Sequence, residues 1–107
     1  MARTKVYLAV HLFLIKDNQV LLLRRFNTGY EDGKYSVCAG HVEANESYID
    51  AMIREAKEEI GLDIEKDDLK PIQIMHRKSE NERMDYFFEC STFREKYLIV
   101  KKINVMN

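Results

Sequence analysis

The sequence predicts an α/β domain: a mixed β-sheet sandwiched between helical layers. Three observations predict it. Val6 to Ile15 is apolar on both alternating faces apart from His11, the pattern of a strand covered on both sides. Ile49, Met52, Ile53, Ala56 and Ile60 recur at helical spacing and form one apolar stripe. Leu69 to Lys78 and Arg83 to Ser91 read as two strands separated by a short polar turn.

The elements follow in order. After the first strand, Lys16-Asp17-Asn18-Gln19 turns the chain, and Val20 to Arg25 returns as the second arm of a hairpin. Phe26 to Lys34, with Gly29 and Gly33 among polar residues, is a loop, and Tyr35 to Ala39 is a short strand. Ser47, with Asp50 three residues later, marks a helix start because a hydroxyl caps orphan N–H groups. Gly61 after Ile60 marks its end, since a left-handed cap costs glycine little. Pro71 stands near the beginning of its strand, where a missing N–H is tolerated. Thr92 to Asn107 reads as a short strand or a frayed tail, and Tyr97 to Val105 as an edge open to a second copy.

Composition narrows the function. A chain of 107 residues is one small domain. With 17 Lys and Arg against 18 Asp and Glu its net charge is −1, which argues against a nucleic-acid polymer as partner. The two cysteines, Cys38 and Cys90, lack metal-ligand spacing and fit reduced thiols in a cytosol. Arg3 and Lys5 before an apolar run mimic a signal peptide, but no small-residue cleavage site follows. No segment approaches membrane-spanning length.

The chemistry concentrates between Gly40 and Leu62, GHVEANESYIDAMIREAKEEIGL. At about 100° per residue, Glu55, Glu58 and Glu59 stack on one flank of the predicted helix, beside its apolar stripe. Three such carboxylates repel one another unless a cation sits against them. Arg54 reaches Glu58 at i+4, and Glu46, about two turns back, is placed to buttress Arg54. Oxygen-only ligands suit Mg²⁺ or Mn²⁺, and the matching chemistry is attack of water on phosphorus. A solvated acidic face explains REAKEE alone; it does not explain two glycines and Glu46 at fixed distances from it.

That run resembles the signature of the Nudix hydrolases, G-x5-E-x7-R-E-U-x-E-E-x-G-U with U apolar, at every specified position. The hairpin ending LLLRR, the segment TGYEDGKYSV and the strand RMDYFFE are similar to nucleotide-hydrolysing, MutT-like members, so the likeness covers roughly Lys5 to Ser91. It implies the Nudix fold, an α/β/α sandwich, over a single domain, 1–107. It implies Glu58 and Glu59 as principal metal ligands, Glu55 as a further ligand or as the base, and a backbone carbonyl near Ala39 or Gly40 as an additional metal bond. It also implies a Mg²⁺-dependent pyrophosphohydrolase of a small nucleotide, monomeric or homodimeric. A nucleoside triphosphate is the first expectation; a nucleotide sugar or ADP-ribose, or a non-catalytic nucleotide-binding module, are the alternatives. Two departures stand out. Cys38 occupies the place of a common proline, and 92–107 lacks the family's usual final loop and helix.

Outside the helix, Arg25 is a candidate phosphate clamp at a strand end, with Arg24 its competitor. Tyr30 is a candidate for stacking on a base, with Tyr35 more easily explained by packing. His11, the lone polar residue of its strand, is a pocket-lining or satisfied core histidine and a substrate-binding candidate. His41 is not expected as a ligand, His76 and Arg77 are weaker candidates for substrate contact, and Glu80, Glu82 and Glu89 compete as extra ligands.

Overall fold

In the computed structural model, residues 3–24, 35–78, 80–93 and 100–104 are described. Strand β1 (Tyr7–Lys16) turns at Asp17-Asn18 into β2 (Gln19–Arg24). Both turn residues adopt positive φ, 54° and 59°, and the register closes at Lys16↔Gln19, a two-residue type I′ hairpin. The chain then forms β3 (Tyr35–Ser36), β4 (Cys38–His41), helix α1 (Tyr48–Ile60), a 3₁₀ turn (Lys66–Asp68), β5 (Lys70–Lys78), β6 (Glu82–Cys90) and β7 (Val100–Asn104).

The strands make one mixed sheet in the order β3-β2-β1-β6-β5, with β4 paired to β1 and β7 to β2. β1 and β6 run parallel and α1 lies between them in sequence, whereas β1–β2, β1–β4 and β5–β6 are antiparallel. Val100–Asn104 thus pairs with β2 of its own chain over Gln19↔Asn104 to Leu23↔Val100. This takes up the tail strand that the sequence left open to a second copy. Leu69 to Lys78, expected as one strand, contains a bulge between Pro71 and Gln73 and lies at the sheet edge.

Alternation along β1 sorts its side chains. Val10, Leu12 and Leu14 are buried in the core, which also holds Ala51, Met52 and Ala56 of α1 and Phe88 and Cys90 of β6. The two alanines let the helix approach the sheet, and Met52 fills the remaining volume. Tyr48 closes the helix N-terminal end, stacking on Tyr86 at 4.4 Å and Phe88 at 5.7 Å between ring centroids. The expected caps are present: Ser47 Oγ accepts the Asp50 N–H at 3.0 Å, and Gly61 has φ 67°. Among the described residues α1 is the single α-helix, so the helical layer seen here covers one face of the sheet. No helix among them is long and apolar enough to cross a membrane.

Candidate active site

Helix α1 lies across β4 from Arg54 onward, with Arg54 at His41, Glu55 at Gly40 and Glu59 at Cys38. Arg54 is the hub. Its Nε and NH2 donate to the two oxygens of Glu46 at 3.1 and 2.8 Å, a fork that holds the carboxylate with two parallel bonds. NH1 donates to Glu55 at 2.9 Å and to Glu58 at 3.1 Å, and NH2 also donates to the His41 carbonyl at 2.9 Å. Glu46 in turn accepts the Glu43 N–H at 2.8 Å. One guanidinium therefore ties the loop before the helix, the end of β4 and two acidic side chains into one frame. Hydrogen bonds from Arg54, then from the Glu43 backbone, hold the Glu46 carboxyl below its ordinary value despite desolvation, and the same network raises Arg54.

Gly40 seats Glu55. A Cβ at position 40 would collide with the Glu55 carboxyl group, so only a bare backbone lets that side chain lie against β4. Glu59 stands one turn further along the same flank, where the buried Cys38 thiol faces it with Sγ 3.8 Å from Oε2. Burial, then the negative charges of Glu59 and Glu55, push this thiol well above the usual range, so it remains a neutral donor. Glu58 is mostly exposed.

The donor set fits a hard divalent cation in kind: Glu55, Glu58 and Glu59 offer oxygen only, and Gly40 brings an unshielded strand close to Glu55. Among the described residues no three acidic, histidine or cysteine side chains form a ready-made cage. Arg54 NH1 stands between Glu55 and Glu58, 2.9 and 3.1 Å from their oxygens, and compensates part of their charge.

The outlying candidates fare differently. Arg25 and Tyr30 lie outside the described residues. His11 is on the sheet face turned away from the core residues of β1, with Nε2 2.8 Å from Asp85 Oδ1. Glu82 pairs with His76 at 3.1 Å and lies 3.9 Å from Lys78. A cleft of about 550 Å³ opens beside the Arg54 frame, lined by Val6, Tyr7, Leu8, His41, Val42, Glu43, Ala44 and Glu46. Sequence reasoning missed the His41 carbonyl as an Arg54 acceptor and missed Asp85 altogether. The signal for Asp85 was there: Met84, Tyr86, Phe88 and Cys90 alternate toward one face, which leaves an aspartate beside Phe87 on the other.

Comparison with known proteins places this geometry in a family. The NUDIX domain profile matches residues 6–99. An ADP-ribose pyrophosphatase of Methanocaldococcus jannaschii is 41% identical over 54 residues, 50% of this chain and 31% of that protein. The match thus spans about a third of the curated relative's length. Among solved structures, the ORF135 protein of E. coli superposes with a TM-score of 0.74 at 19% identity, over 94% of this chain and 75% of that one. A MutT NUDIX hydrolase of Burkholderia pseudomallei gives 0.68 at 14% identity, over 92% and 83%. At such identities the structural likeness concerns the fold alone.

Proposed function

The chain belongs to the Nudix family, and we propose that it is a Mg²⁺-dependent pyrophosphohydrolase acting on a nucleoside diphosphate derivative. The observation that carries the reading is the Arg54 frame: one guanidinium holds Glu46, Glu55 and Glu58 at 2.8 to 3.1 Å beside a glycine that leaves room for Glu55. A solvated acidic face has no need of such a frame. The reading treats residues 1–107 as one domain, with 92–107 as its divergent part.

Glu58 and Glu59 would hold Mg²⁺, or Mn²⁺, with Glu55 and the Gly40 carbonyl as further ligands. Bound there, the cation supplies charge neutralisation on the phosphate oxygens. Glu55, pinned by Arg54 and Gly40, is alternatively the base that takes the proton of the attacking water. Arg54 orients the carboxylates, and Cys38 offers its thiol hydrogen to Glu59. Arg25, His11 and Tyr30 remain candidates for contacts to the rest of the substrate.

A nucleoside triphosphate cut to the monophosphate and pyrophosphate is the first reading. An ADP-ribose or nucleotide-sugar substrate is the second, favoured by the 41% identity with the archaeal enzyme. The test is phosphate and pyrophosphate release from nucleoside triphosphates, nucleotide sugars and ADP-ribose, with Mg²⁺ and with chelator. Turnover that requires Mg²⁺ supports the reading and selects between the substrates. A folded protein that binds nucleotide without turning over any of them would instead be a binding module.

A further inference from the structure

Strand β5 is the outermost strand beside β6, and all nine of its residues are exposed. It carries three of the five exposed large hydrophobic side chains among the described residues: Ile72 at 44%, Ile74 at 58% and Met75 at 40%. Its inner side pairs with β6, and among the described residues nothing pairs with its outer side. Such an edge presents a row of N–H and C=O groups that another extended chain can complete.

The regular part of this edge is 73–78. The bulge between Pro71 and Gln73 interrupts the ladder before it, and from Gln73 to Lys78 the register with β6 runs without a break. Ile74 lies opposite Tyr86, on the face that carries α1, where Tyr86 stacks on Tyr48 at 4.4 Å. Met75 lies opposite Asp85, on the other face. One apolar side chain therefore stands uncovered at the edge on each face of the sheet. Edges protected against association set charges or proline at such positions.

The charge of the strand selects the partner. Lys70, Arg77 and Lys78 are cationic and β5 contains no acid, in a chain whose net charge is −1. Arg77 is held by Asp85 at 2.6 Å with 49% of its side chain exposed, and the Lys78 side chain is 77% exposed. A cationic end thus adjoins an apolar centre. A second copy fits this edge badly. Two-fold antiparallel pairing over 73–78 sets Ile74 against Arg77 and Met75 against His76. Pairing over the whole strand sets Lys70 against Lys78, like charges directly opposite each other.

We propose that β5 is a docking edge for an extended acidic segment of a partner protein, which adds to the sheet as a further strand. Its acidic residues stand opposite Arg77 and Lys78, and its apolar ones opposite Ile74 and Met75. The inference is independent of the hydrolase reading, since it uses none of the α1 carboxylates.

The test is an amide-resolved NMR titration of the full chain with the acetylated, amidated peptide EETVVT and its counterpart KKTVVT. EETVVT is expected to shift the amides of 73–78 most and to bind about fivefold or more tightly than KKTVVT, with a preference that falls as salt rises. Two further forms of EETVVT carry methyl groups on alternate backbone amides, in opposite phases. One is expected to bind and the other not, because only every second N–H of an added strand faces its neighbour. Lys78→Glu is expected to bring the two unmethylated peptides to within about twofold of each other. The wild-type arms stand even if that variant fails to fold. Equal binding of EETVVT and KKTVVT to the wild type, shifts centred away from β5, or no shifts at all would overturn the inference. Equal behaviour of the two methylated peptides, or an unchanged preference in folded Lys78→Glu, would do the same. So would broadening of the 73–78 amides that grows with protein concentration in the absence of peptide, which would make the occupant a second copy.

Discussion

The Glu55 carboxyl group occupies the space in which any residue other than Gly40 would carry its Cβ. This explains in steric terms why a glycine stands fifteen residues before a glutamate at the start of the motif. The colliding atoms are the far end of a flexible side chain, so an added methyl group has an easy escape: Glu55 swings away. Gly40→Ala is expected to change stability by no more than about 1 kcal/mol while lowering turnover by about a hundredfold or more. Thermal unfolding and steady-state kinetics on one preparation check both halves. A variant with normal kcat would show that the seat is unimportant.

Arg54 makes a fork to Glu46 and single bonds to Glu55, Glu58 and the His41 carbonyl. A lysine keeps the charge but cannot satisfy four directions with one ammonium. Arg54→Lys should therefore behave more like Arg54→Ala than like wild type, with kcat reduced about a hundredfold in each. A lysine variant within about threefold of wild type would mean that charge alone suffices.

Met52 is fully buried between α1 and the sheet, whereas Ile74 on edge strand β5 is 58% exposed. Met52→Ala is expected to cost about 2–5 kcal/mol by denaturant unfolding. Ile74→Ala is expected to stay within about 0.5 kcal/mol. Equal losses would place the core elsewhere.

The folded-state pKa of Asp85 lies below its ordinary value of 3.8. A depressed carboxylate contributes stability above its unfolded pKa and loses it as pH falls through the folded one. The melting temperature should accordingly stay level from neutral pH to about 5 and decline below about 4. Asp85→Asn should flatten part of that decline. A wild type that is more stable at pH 3 than at pH 6 would contradict the sign.

What was legible in the sequence was what depends on local spacing. The Ser47 and Gly61 caps, the turn at Asp17-Asn18 and the Arg54–Glu58 and Arg54–Glu46 pairs all join residues no more than eight positions apart. What was not legible joins distant strands. His11 and Asp85 are 74 positions apart, and their meeting depends on the parallel register of β1 with β6. Cys38 meets Glu59 only because β4 lies under α1. The Ile, Val and Lys content of the last segment allowed a short strand or a frayed tail and held no information about which edge it joins, here β2.

The proposed activity stands or falls with the α1 carboxylates as holders of a divalent cation. Its most direct test is Mg²⁺-dependent pyrophosphate release by the wild type, Glu58→Gln and Glu59→Gln, with Mg²⁺ binding followed calorimetrically in each. Turnover is expected to vanish with chelator and to fall about a thousandfold in each variant, with weakened Mg²⁺ binding. Undiminished Mg²⁺ binding and turnover in either variant would contradict it.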